Sequence, residues 1–233
     1  MDIQILQQPE SAVTKGAAAP IAKITMEQNE ELIAEAGTMI AMSDFINVST
    51  TLRQGKGGGI MGGFKRMLAG ESLFLSVFRC YQPQGEVFLA PSLMGDIIIY
   101  EMQGQELIVQ SASYLASAST VDMDLGFQGF KSFFSGESIF WLSITGYGAV
   151  ILSSFGAIYE IDVDGEYIVD TGHIVAFERS LDFRIGKVNS SWLGAFLGGE
   201  GLICRFFGQG KVYCQTHNPG NFGRLIGSRL PER

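Results

Sequence analysis

Three glutamates are the most regularly placed ionisable side chains in this 233-residue chain. Glu71, Glu137 and Glu200 each follow a glycine, and each opens an apolar run. Three carboxylates gathered on one axis could hold a hard cation, which takes oxygen ligands. The competing role is local: each carboxylate accepts hydrogen bonds from its own turn, because burying one unpaired is costly. One Glu per repeat, without accompanying Asp or Asn, is a poor cation cage. The local role is therefore expected, and no metal or cofactor is assigned.

The remaining candidates are weaker. Residues 55–65, GKGGGIMGGFK, have the glycine content of a phosphate cradle. They lack the closing Gly-Lys-Ser/Thr of a P-loop and its strand–helix context. A flexible link is expected, with Lys65 and Arg66 on a solvated edge. The apolar Ile60, Met61, Phe64, Met67 and Leu68 beside them leave contact with a lipid headgroup or polyanion as the alternative. The two histidines are His173 and His217. Asp170, Thr171 and His173 suggest acid–base chemistry, but strand alternation puts Asp170 and His173 on opposite faces. No serine elbow accompanies them. Cys80, Cys204 and Cys214 are an odd number with no CxxC pair, which reads as reduced thiols in a core. Cys204 and Cys214 flank the Gly208–Gly210 turn and are expected as cross-strand neighbours. Phe133, Phe134, Trp141 and Trp192 fit either an oligomer interface or the core. No catalytic residue emerges, and the chain is read as a non-enzyme.

The elements that must position these residues are strands. Apolar residues make up 46% of the chain and charged residues 17%, with 30 glycines against 6 prolines, as many short strands with tight turns require. The net charge of -8 excludes a broadly basic nucleic-acid face, so no nucleic acid is expected. The opening MDIQILQQPE lacks the basic start and apolar run of a signal peptide, which makes the cytoplasm the expected location. Residues 138–158 carry no charge and are long enough to span a bilayer, yet their serines and glycines suit a strand better than a lipid-facing helix.

Two sets of segments recur. The first is GFKRMLAGESLF (63–74), GFKSFFSGESIF (129–140) and, more loosely, WLGAFLGGEGLI (192–203). Each precedes an apolar strand, a glycine-bearing turn (83–85, 146–148, 208–210) and a return strand, expected as hairpins. The second set is ELIAEAGTMIA (31–41), ELIVQSASYLA (106–116) and EYIVDTGHIVA (166–176), each with a further strand before it at 20–26, 96–102 and 157–163. The expected fold is all-β, barrel-like, with pseudo-threefold symmetry and short helices near 64–68 and 192–197. One domain over 1–233 is expected, of units about 28–103, 104–163 and 164–217. The third unit lacks its last strand, and the N-terminal segment 18–27 is expected to complete it. Such closure would remove exposed strand edges.

Residues 63–74, 169–176 and 199–202 resemble the family of altered inheritance of mitochondria protein 24, and the resemblance runs from about Gln28 to His217. It implies a fold related to the double-stranded β-helix, similar to the tryptophan RNA-binding attenuation protein, and it implies oligomers. For mitochondrial members it implies a role in inner-membrane organisation. It carries over no catalytic or binding residues. The expected function is a self-associating scaffold or interaction protein, a homo-oligomer with a trimer favoured, engaging a protein or membrane-surface partner. The alternative is a small-ligand module using the mouth of the barrel.

Overall fold

The structure, a computed structural model, describes residues 1–6, 20–52, 74–124, 141–186 and 202–230. Among the described residues sixteen strands follow one another. The first seven are β1 (Asp2–Leu6), β2 (Ile21–Glu27), β3 (Glu31–Glu35), β4 (Met39–Met42), β5 (Ile46–Leu52), β6 (Phe74–Cys80) and β7 (Gln84–Leu89). Then come β8 (Ile97–Gln103), β9 (Leu107–Gln110), β10 (Tyr114–Ala118), β11 (Val121–Asp124) and the long β12 (Trp141–Ser153). The last are the long β13 (Ile158–Asp170), β14 (Ile174–Glu178), β15 (Asp182–Gly186) and the long β16 (Ile203–Gln215), followed by helix α1 (Pro219–Gly227).

One antiparallel ladder occurs three times. β7 lies between β2 and β4. The second half of β12 lies between β8 and β10. The second half of β16 lies between the first half of β13 and β14. A register shift falls at the same place in each, between Met39 and Ala41, Tyr114 and Ala116, and Ile174 and Ala176. Another ladder also recurs: β3–β6–β5, β9 with the first half of β12 and β11, and the second half of β13 with the first half of β16 and β15. Two joints weld these ladders into wider sheets. β10 pairs with β3, and β14 pairs with β9.

The result is two inner six-stranded layers flanked by two partial ones. Three apolar cores lie between successive layers, and strand alternation assigns side chains to them. Leu32 and Ala34 enter the first core while Ile33, between them, enters the second. Leu107 and Val109 enter the second core and Ile108 the third. Val150 and Leu152 face the second core and Ile151 the first; Val212 and Cys214 face the third and Tyr213 the second. The central strands of an inner layer thus serve two cores, while β11 at its edge serves only the second, and every fully buried aliphatic among them contributes about 1.5–3 kcal/mol. Uncharged stretches such as 141–153 need this two-sided burial. β12 is a strand, and among the described residues no helix is long and apolar enough to cross a membrane.

Three expectations change. The N-terminal strand does not complete the third unit: β2 is held between β1 and β7, where Ala22, Ile24 and Met26 fill the first core and Lys23 reaches Glu86 at 2.7 Å. The strand that opens each unit therefore precedes it, as β8 and the first half of β13 do for the other two. Among the described residues the sheets do not close into a barrel, and β4 ends its sheet. Finally, the glycine turns are corners and not hairpins. Gly146 (φ 108°) and Gly148 (φ 119°) sit inside β12, which pairs with β9 on one side of them and with β8 on the other. Gly208 (φ 107°) lies inside β16, opposite Gly165 (φ 103°) of β13. Left-handed glycines kink a continuous strand from one layer into the next, where a reversal would have paired it with itself.

Candidate functional site

Most of the regular sequence features lie outside the described residues: Glu71, Glu137, Glu200, the 55–65 segment, Lys65 and Arg66, Phe133, Phe134 and Trp192, and the short helices expected at 64–68 and 192–197. The helix that is described, α1, follows Asn218, whose Oδ1 accepts the N–H of Asn221, with Pro219 opening the first turn. Asn218-Pro219 is a helix-start signal that the sequence carries outside the repeats.

The described candidates are held in structural roles. Asp170 caps the 3₁₀ turn Thr171–His173 by accepting the Gly172 N–H at 2.8 Å, and Thr171 Oγ1 donates to the Leu202 carbonyl at 2.8 Å. His173 Nδ1 lies 2.8 Å from the Gln215 carbonyl, which can only accept, so Nδ1 carries the proton. Each member of the suggested acid–base group is engaged by its own backbone partner. His217 lies 2.9 Å from Thr216 Oγ1 and packs against Phe155. Trp141 is buried, edge-on to Phe177 at 5.7 Å, so it belongs to the core.

The three cysteines are free and buried. Cys204 and Cys214 are not cross-strand neighbours. Because Gly208 is a corner within β16, both lie on one strand, opposite Val169 and Tyr159 respectively. Burial pushes both thiols up to about 12, so the reactive thiolate is disfavoured. Among the described residues no three His, Cys, Asp or Glu side chains group as metal ligands.

One small cavity, about 100 Å³, is lined by Glu35, Gln110, Ser113, Ser153 and Gln215. Burial raises the Glu35 carboxyl to about 7, and Gln110 Oε1 is buried without a hydrogen-bond partner. Pockets that enclose a small organic ligand run to roughly 300–1,000 Å³. This one has room for a few waters.

The distinctive surface lies at the ends of the stack. In β10 and β14, Tyr114, Leu115, Ile174 and Val175 are all fully buried. The corresponding residues of β4 are Met39, 43% exposed, and Ile40, 53% exposed. At the other end, Leu32 and Leu107 are fully buried, and so is Ile108; their counterparts Tyr167 and Ile168 are each 45% exposed. An open groove of about 750 Å³ runs beside the latter pair, lined also by Tyr159, Ile161 and His173. Side chains that are core in the middle of the chain are surface at its two ends. Aligning 31–41, 106–116 and 166–176 identifies the equivalent positions in the sequence, but not which of them lack a neighbour.

The architecture defines a layered all-β protein. The family description Mitochondrial biogenesis AIM24 matches residues 12–217, and the chain belongs to that family. An uncharacterized protein of Streptococcus pyogenes serotype M6 (M6_Spy0233) is 28% identical over 219 residues, covering 91% of this chain and 87% of its own. A crystal structure of protein SPYM3_0169 from Streptococcus pyogenes matches with a TM-score of 0.75 at 22% identity, covering 98% of this chain and all of that one. That likeness is one of fold.

Proposed function

We propose that this protein is a non-enzymatic cytoplasmic scaffold that works by self-association. The observation that carries the reading is the exposure of repeated apolar positions at both ends of the stack. Stacked-repeat proteins that work as monomers carry terminal repeats with a polar outer face. Here β4 reads Met-Ile-Ala-Met, with neither charge nor proline on an edge strand where natural sheets usually place one. Light scattering on the eluting protein tests this. A mass several times 25.3 kDa at micromolar concentration is expected, and a monomer at every concentration would overturn it.

Engagement of a membrane surface is the second part of the reading. Its support is α1, where Phe222, Leu225 and Ile226 are exposed at helical spacing with Arg224 among them. Flotation with anionic vesicles should carry the protein upward, and a Leu225→Asp/Ile226→Asp variant should stay behind. A variant that floats equally well removes the helix from the account. The small-ligand alternative draws less support, because the small cavity is several times smaller than such sites need and the groove of about 750 Å³ is open to solvent and does not enclose a ligand.

A further inference from the structure

The self-association proposed above leaves open which surfaces meet. The two internal joints supply a template for the missing one. In the first, Ala116 faces Ala34, Ser117 faces Ile33 and Ala118 faces Leu32. In the second, Ala176 faces Val109, Phe177 faces Ile108 and Glu178 faces Leu107. Both follow one rule: the residues after the register shift of one unit lie antiparallel to the β3-type strand (β3, β9) of the unit before it. Moved one unit along, the rule pairs β4 with the second half of β13. Neither of those edges pairs with another strand among the described residues.

We propose that a second copy of this chain completes the joint, β4 of one copy lying antiparallel to residues 166–170 of the next, with Ala41 opposite Val169, Met42 opposite Ile168 and Ser43 opposite Tyr167.

Three observations carry it. The first is residue choice. The position that leads each joint after the shift is alanine in all three units, Ala116, Ala176 and Ala41. Its neighbour across the joint is small or β-branched, Ala34, Val109 and Val169. The middle position of the facing strand is isoleucine every time, Ile33, Ile108 and Ile168. Ile168 retains that identity although it is 45% exposed in the single chain, where a polar residue would cost nothing.

The second is the layer pattern. Each inner layer joins β2–β7–β4-type strands to β3–β6–β5-type strands. The first layer, β1–β2–β7–β4, holds only the former, and the last, built from the second half of β13, the first half of β16 and β15, only the latter. They are the two halves of one inner layer.

The third is side-chain direction. Leu115 and Val175, the equivalents of Ile40, face the core of the preceding unit, and Ile33 and Ile108, the equivalents of Ile168, face the core of the following one. In the joined pair Ile40 and Ile168 would each enter an apolar interface beyond their own unit, beside the groove lined by Tyr159, Ile161 and Tyr167.

The two surfaces differ, so the contact is head to tail. Repetition gives a ring where the rotation closes and a filament where it does not.

Two variants each block one end: Ile40→Lys on β4 and Ile168→Lys on β13. Both positions are exposed in the single chain, so circular dichroism should match the parent, and the melting temperature should match that of the parent diluted to monomer. By light scattering each variant alone is expected at 25.3 kDa, and an equimolar mixture at twice that mass, because each retains one intact end. Cysteine variants test the same joint without a blocking charge. Met42→Cys mixed with Ile168→Cys should give a disulfide-linked pair under mild oxidation, and neither alone should. If the parent is oligomeric but both lysine variants stay oligomeric, or if Met42→Cys cross-links to itself as well as to Ile168→Cys, the head-to-tail joint is overturned while self-association stands. A parent that is monomeric at all concentrations removes both.

Discussion

The middle unit and the two end units are built from the same strands yet meet different surroundings. Residues 107–118 are sandwiched between neighbours on both sides, and Leu107, Ile108, Val109, Tyr114, Leu115 and Ala116 are all fully buried. The corresponding strands at the ends, β4 and the second half of β13, have a neighbour on one side only among the described residues. Their apolar residues are unchanged in kind. Burial in this fold is therefore supplied by the adjacent unit and not by the unit itself, which is the energetics of a stack whose cores lie between repeats.

Matched truncations in the middle and end units should differ most. Ile108→Ala, in the buried middle, should cost about 2–5 kcal/mol of unfolding free energy. Ile168→Ala, at the same position of the exposed end, should cost under about 1 kcal/mol in dilute monomer. Urea unfolding of both variants measures the contrast, and equal losses would contradict the equivalence of the two sites. A smaller effect is expected at the hydroxyl of Tyr114, which donates to the Ile33 carbonyl at 3.1 Å and lies 2.9 Å from Ser117 Oγ. Tyr114→Phe should cost about 1–2 kcal/mol in the same assay, by the usual worth of a buried hydrogen bond. The end unit has Met39 at that position, and Met39→Leu should be close to neutral.

Glu35 distinguishes the first unit from the middle one through pH. The middle unit has Gln110 at this position, which does not titrate; the first unit has a carboxyl that burial raises from 4.5 to about 7. Between those values the folded chain holds a proton that the unfolded chain has lost, so the contribution to stability falls as pH rises through that window. Glu35→Gln should therefore melt with the parent near pH 4 and above it at pH 8. The gain should be about 1 kcal/mol, less than the full shift implies because the side chain is part-exposed. A variant less stable than the parent at pH 8 would mean that the carboxylate is held by a partner. The smallest effect is chemical: Cys204 and Cys214, raised to about 12 by burial, should resist a thiol reagent at pH 8 until the protein unfolds. Rapid labelling in the native state would contradict their burial.

Much of the framework was legible in the sequence. Low charge, abundant glycine and two interleaved sets of recurring segments identify an all-β chain, and the segments beginning at Glu31, Glu106 and Glu166 do occupy equivalent places in the ladders. The connections were not legible. A glycine with positive φ serves a hairpin and a corner equally well, so Gly146, Gly148 and Gly208 could not say whether β12 and β16 reverse or pass on to another layer. That ambiguity misplaced two things: the relation of Cys204 to Cys214, and the strand 20–26, whose partner depends on which layer the return strands join. The exposed ends were invisible for a different reason. Ile40 and Ile168 look like core residues because at their positions in the other units they are core, and only the open sheets reveal that their neighbours are missing.

Hydrogen exchange on the unmodified protein, followed as it is diluted through its association midpoint, tests the head-to-tail joint most directly. Backbone amides of 39–43 and 166–170 should become faster together on dilution while those of 107–118 stay protected throughout. Exchange in the two end strands that is equally fast at every concentration, with slowing confined to some other surface, would contradict it.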